Sequence, residues 1–138
     1  GYGVTVMLLN APLPDRVVQN PEPERPNVSI KDLLGTVRLD QSKGEDLLAE
    51  KILTAMDDIN TQVMLLKIET EVQIRKYKRA VCYEAAALIC EDNLDFDTTT
   101  NGQSRGENQR AKMQSLRRIV NHMIADLTNR TRNRVKLI

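Results

Sequence analysis

The chain has 138 residues, 41% hydrophobic and 28% charged, with 20 basic and 19 acidic side chains and a formal net charge of +1. That is the size and composition of one globular domain and excludes wholesale disorder. No apolar run approaches the roughly 20 residues that span a bilayer. Four aromatics (Tyr2, Tyr77, Tyr83, Phe96), one His and two Cys leave Leu, Ile, Val, Met and Ala to build the core.

All five prolines (Pro12, Pro14, Pro21, Pro23, Pro26) lie in the first 26 residues. Proline fixes φ and lacks an N–H, so neither a long helix nor a central strand is expected there. Residues 1–28 read as an extended arm, with a short β segment at Val4–Leu9 and a polyproline-like path through Pro21, Pro23 and Pro26. Such an arm gains little by packing on its own body, and it reads either as a disordered tail or as a segment ordered by a partner. Gly1–Leu9 lacks the charged flank and Ala-x-Ala site of a signal peptide.

From Asn27 onward the punctuation is helical. Ser29-Ile-Lys-Asp32, Ser42-Lys-Gly-Glu45, Ser104-Arg-Gly-Glu107 and, more weakly, Thr70-Glu-Val-Gln73 have the spacing of capping boxes. In such a box the hydroxyl accepts the N3 amide and the N3 side chain reaches back to the N-cap amide. Four helices follow. A short one over 30–39 buries Ile30, Leu33, Leu34 and Val37. The second, over 45–67, carries Leu48, Ile52, Met56, Ile59, Val63 and Leu66 on one stripe. The third, over 71–92, uses Ile74, Tyr77, Val81, Ala85 and Leu88, and its small residues Cys82 and Ala85–Ala87 admit a close neighbour. The last, over 106–129, places Met113, Leu116, Val120, Met123 and Leu127 on the seam of a bundle. Only Thr70 argues against fusing the second and third helices into one rod, and a helical hairpin is expected. The expected fold is all-α: a small antiparallel helical bundle over 29–130, with three long helices and a short one. It is flanked by the 1–28 arm and by an extended, β-prone tail at 131–138.

The candidate chemistry is sparse. Cys82 and Cys90 sit eight residues apart on one helix, about 12 Å of rise, too far to pair in a disulfide. They read as small core residues of a reducing compartment. Glu91, Asp92, Asp95, Asp97, Asn101 and Gly102 superficially suggest a calcium loop, but the glycine and distal glutamate are out of register for an EF-hand. His122 has only Asp126 at i+4 as a neighbour. With no phosphate loop, nucleophile elbow or paired-carboxylate motif, no enzyme activity, metal or cofactor is expected.

The charge is unevenly placed. Residues 105–138 carry nine basic and two acidic side chains, a net +7, against −6 over 1–104. Arg110, Lys112, Arg117, Arg118, Arg130, Arg132, Arg134 and Lys136 carry most of this excess. Three readings are open. One is nucleic-acid binding, without aromatics for stacking in this quarter. Another is a solvated face with cations at a helix C-terminus. The third, which the residues favour, is docking on an acidic protein surface, with Val135, Leu137 and Ile138 adding a strand or filling pockets.

Tyr77-Lys-Arg-Ala-Val81, Asp95-Phe-Asp-Thr-Thr99, the last helix and the terminal Val135-Lys-Leu-Ile138 together resemble the head-completion (head-stabilisation) proteins of contractile-tailed temperate bacteriophages. The likeness covers residues 74–138 and, more loosely, Leu39–Leu66. Phe96 stands where the family has Tyr and Lys136 where it has Glu, and the connection near 67–70 is shorter.

The resemblance implies a structural virion protein of the head–tail connector region, assembled in the host cytoplasm. It would bind beneath the portal protein after DNA packaging, help retain the genome and present a platform to the neck or tail-completion protein. Neighbouring copies would form a ring, usually of twelve. The setting would allow non-specific contact with channel DNA and involves no membrane. On this reading Arg130, Arg132, Arg134, Val135, Lys136, Leu137 and Ile138 dock on the portal. Val4, Val6, Leu8, Pro21, Pro23 and Pro26 meet a neighbouring subunit or neck protein, and Asp95, Phe96 and Asp97 make loop contacts. The alternative is a small helical nucleic-acid-binding protein using the basic C-terminal quarter.

Overall fold

The computed structural model describes residues 15–39, 44–96 and 103–137, with backbone alone at 93–96, 103–106 and 129–137. In chain order the described elements are β1 (Val17–Val18), β2 (Val28–Ser29), α1 (Ile30–Thr36), α2 (Glu45–Gln62), α3 (Glu71–Phe96) and α4 (Gln103–Leu137). The protein is mostly helical, as the periodicity predicts. β1 and β2 form a two-residue antiparallel pair, Val17 opposite Ser29 and Val18 opposite Val28.

Two of the four expected capping boxes form. Ser29 Oγ accepts the Asp32 amide at 2.9 Å, and Asp32 Oδ2 accepts the Ser29 amide at 3.0 Å. Burial alone would raise the Asp32 carboxyl, but the Ser29 amide and the Lys78 ammonium hold it below the usual range. Thr70 Oγ1 accepts the Gln73 amide at 3.1 Å, while Gln73 Oε1 accepts the amides of Glu69 and Thr70, both at 3.0 Å. Thr70 thus starts a new helix, and the second and third helices form the expected hairpin and not one rod. The other two boxes are corrected. Gly44, without a side-chain cap, is the N-cap of α2, and Ser42 lies outside the described residues. The carboxylates of Glu45 and Asp46 in the first turn complement the helix dipole instead. α4 begins at Gln103, so Ser104 falls inside its first turn.

α3 is the axis of the bundle. It packs most extensively against α4, next against α2, then against α1, whereas α2 and α4 have little direct contact. A helix with neighbours on several sides cannot carry a single apolar stripe. Tyr77, Ala80, Val81, Cys82, Ala85, Ala86, Ala87, Ile89 and Cys90 are all buried around its circumference, and the small residues permit the close approach. From the other elements, Val28, Ile30, Leu33, Ile52, Met56, Ile59, Val63, Leu116 and Val120 complete the core. The two thiols are free and buried, and burial pushes Cys82 up to about 12.

The expectation for the proline-rich segment changes from residue 16 onward. β1, the bend through Pro21, Pro23 and Pro26, and β2 fold back on the bundle, with the Arg25 amide donating to Glu22 O at 3.0 Å in a turn, not a polyproline-like path. The physical reason is polar. Asn20, which is buried, donates from Nδ2 to the Tyr77 hydroxyl at 2.7 Å and to Pro26 O at 2.9 Å. Its Oδ1 accepts from Asn60 Nδ2 and the Glu22 amide, both at 3.0 Å. The Val4–Leu9 segment lies outside the described residues.

The C-terminal expectation changes too. α4 runs to Leu137 as a helix and not as an extended tail from 131. After Gly106 no glycine or proline interrupts the chain. Arg, Lys and Leu are good helix formers, and cations in a last turn are stabilised by the helix dipole, which outweighs the β-branched Thr131 and Val135. Likewise α3 extends to Phe96, so Asp95 and Phe96 are helical positions and the connection is confined to 97–102, outside the described residues.

Candidate functional site

The basic quarter is displayed by α4. Leu116, Val120 and Leu127 are buried and Met113, Met123 and Ile124 half-buried toward α3, matching the predicted seam. Polar links set its position along α3. Arg117 donates from one guanidinium nitrogen to Glu84 Oε1 at 2.7 Å and from the other to Glu91 Oε2 at 3.0 Å. Further along, Lys76 pairs with Asp126. Glu84 has a side chain only 4% exposed. Burial raises its carboxyl above the usual range, partly countered by Arg117 and reinforced by the nearby Asp58 and Glu91 charges. Arg117 is therefore a structural cation. Asp126 serves the α3–α4 contact through Lys76, and His122, four residues before it, is exposed.

Arg110, Lys112 and Arg118 are exposed on the outer side of α4. Arg130, Arg132, Arg134, Val135, Lys136 and Leu137 follow on the last turns of the same helix, and Ile138 lies outside the described residues. Helical geometry changes what this end can do. Eight residues, 130–137, rise about 12 Å as a helix against roughly 26 Å as a strand. The end is thus a short charged cylinder, suited to lying in a groove and not to adding a strand.

The other predicted contacts are dispersed. Pro21 and Pro23 are exposed in the bend between β1 and β2, and Pro26 is half-buried. Val4, Val6, Leu8 and Asp97 lie outside the described residues, and Asp95 and Phe96 close α3 far along the chain from the bend. The described residues contain no group of three His, Cys, Asp or Glu side chains able to hold a metal ion. No described helix is long and apolar enough to cross a membrane.

A polar node escaped the sequence reading. The Tyr77 hydroxyl donates to Asn60 Oδ1 at 2.6 Å, and Arg25 donates to the same oxygen at 2.9 Å. Burial raises the Tyr77 phenol above its ordinary value. Arg25 also donates to the backbone carbonyls of Asn60, Val63, Met64 and Leu66 at 3.2, 2.9, 3.2 and 3.4 Å. It thereby shapes the turn after α2. The only sequence signal was that Met64 and Leu65 fall off the apolar stripe that takes in Val63 and Leu66.

One protein-family model, described as phage head completion protein (GPL), matches residues 66–138, which hold α3, α4 and the basic quarter. No curated protein and no solved structure matches the chain. Members of that family serve a structural role in head assembly, as virion components. The match takes in more than half of the chain, including the buried α3 axis and the charged helix it carries, and the chain belongs to the phage head completion protein family.

Proposed function

We propose that the chain is a connector adaptor that binds beneath the portal protein once DNA is packaged, retains the genome and offers a platform to the next neck or tail-completion protein. The observation that carries this reading is that the family match includes the residues bearing the net +7 charge. Arg130, Arg132, Arg134 and Lys136 steer the helical end of α4 toward an acidic groove on the portal, and Val135, Leu137 and Ile138 fill its pockets. The mechanism is multivalent binding without a chemical step. In a ring of copies each weak insertion raises the effective concentration of the next, so modest affinities add to durable attachment. The subunit is monomeric or weakly associating until the portal templates it. Val4, Val6, Leu8, Pro21, Pro23 and Pro26 meet a neighbouring subunit or the neck protein, and Asp95, Phe96 and Asp97 make further contacts.

Deletion of Val135–Ile138 tests the proposal. The truncated chain is expected to keep its helical circular dichroism and to lose co-sedimentation with purified portal; retained attachment would overturn the docking role. The exposed Arg110, Lys112 and Arg118 favour a second reading, direct binding of DNA phosphates. On that reading free duplex DNA binds the chain without portal and competes with it.

A further inference from the structure

Met64 and Leu65, 70% and 97% exposed, are the most exposed large hydrophobics among the described residues. They sit on the α2–α3 turn, and the turn is not free to fold them back over the bundle. Arg25 grips three of its carbonyls, those of Val63, Met64 and Leu66. The bend that carries Arg25 is itself tied to the core through Asn20 and Tyr77. An apolar pair held in place has already lost the conformational freedom that docking would otherwise cost. Glu69 and Lys67 are exposed on the turn itself, and Glu22 and Glu24 are exposed in the bend whose Arg25 grips it.

The same subunit carries a surface of the opposite kind. A groove of about 730 Å³ runs between α1 and the first turns of α3, with Ile74 and Cys82 in its lining and Arg75, Lys78 and Arg79 along it. Asp32, also in the lining, is engaged by Lys78 at 3.2 Å and by the Ser29 amide. Arg75 and Arg79 are exposed, the latter with its guanidinium carbon 6.0 Å from the Tyr83 ring centroid. Glu71 is the remaining acid there. Because Met64 and Leu65 stand in solvent, they do not fill the groove of their own subunit.

We propose that the α2–α3 turn of one copy seats Met64 and Leu65 in the α1–α3 groove of a second copy, with the acids around the turn facing Arg75, Lys78 and Arg79. Opposite charge sets the register of the contact and the apolar pair supplies its buried centre. The inference rests on the reading of the chain as a protein used in several copies in the virion. It deepens that reading by naming the copy–copy contact.

Photo-cross-linking tests it. The full chain with Leu65 replaced by p-benzoylphenylalanine is irradiated both as concentrated purified protein and in assembled particles. The expected product is a covalent dimer whose adduct maps to 71–82, lost when the second copy carries Arg75→Glu and Arg79→Glu. All three positions are exposed, and circular dichroism confirms that the variants are folded. An adduct on a different virion polypeptide, an adduct elsewhere on this chain, or no dimer in either sample overturns the proposal. Portal co-sedimentation of the Val135–Ile138 deletion is scored separately. Its failure to discriminate would sink the docking role while the cross-link of the purified chain still reports on the copy–copy contact.

Discussion

Two regions of this subunit are fastened by different physics. Around the bend, residues 16–30, the α2–α3 turn and the start of α3 are held by side chains reaching polar groups far away in sequence. Arg25 reaches Leu66 and Asn20 reaches Tyr77. Along the rest of α3, α4 packs on one apolar seam, tied by Arg117 to Glu84 and Glu91 and by Asp126 to Lys76. The first region is over-determined, since removing one bond leaves several others. The second is fastened on one side only, which leaves its outer face and its basic end to a partner. Rigid apolar display and exposed charge thus fall at different places on the same fold.

Substitutions can break or sharpen this contrast. The largest effect is expected at Arg117, because Glu84 is buried and loses its countercharge. Arg117→Met should destabilise by about 3 kcal/mol at neutral pH, measured by urea denaturation. Burial raises the folded-state Glu84 carboxyl, so the protonated form suits the fold. Stability from that preference is full below the unfolded carboxyl range and lost as pH rises through the raised value. The Arg117→Met deficit should therefore shrink on acidification. An unchanged deficit at acid pH would mean that lost packing, not charge, dominates.

Next comes Arg25→Ala, which leaves the carbonyls of the turn to water and should cost about 2 kcal/mol. Arg25→Lys should restore little, since one ammonium cannot span acceptors on Asn60, Val63, Met64 and Leu66. Rescue by lysine would show that the turn needs only a charge. Ser29→Ala should cost about 1 kcal/mol through loss of the cap. The depressed Asp32 carboxyl adds stability above its unfolded value that is lost as pH falls through the lower folded one. Asp32→Asn should accordingly flatten the acid side of the stability profile. The smallest effect is expected at Leu65→Asp, within about 0.5 kcal/mol because the side chain is almost fully exposed. A larger loss would mean that Leu65 packs on its own subunit.

Helix count and order, the α4 seam and the caps at Ser29 and Thr70 were legible because they depend on residues within a few positions of one another. The helix ends were not. α3 and α4 both run further than predicted, since turn-forming residues such as Asn93 and Asp95 can be carried by a helix already stabilised by packing. The bend was misread for the opposite reason. Pro21, Pro23 and Pro26 describe what the backbone of 1–28 cannot form alone, whereas the partners that capture Asn20 and Arg25 lie on α2 and α3. Of the candidate site residues, the basic run was visible in the sequence. Only the structure removed Arg117 from the pool of docking charges by placing Glu84 and Glu91 beside it.

By itself the amino-acid sequence determined a mostly helical chain with a net +7 C-terminal quarter, a core without tryptophan and a membership readable in residues 66–138. Those are properties of composition and of spacing at 3.6 residues per turn, and they need no distant contact. The tertiary structure alone decided which cations are structural, that the bend packs on its own bundle, and that Met64 and Leu65 are held out in solvent. Each depends on groups such as Arg25 and Val63 or Glu84 and Arg117, tens of residues apart, whose bonds exist only once the helices have packed.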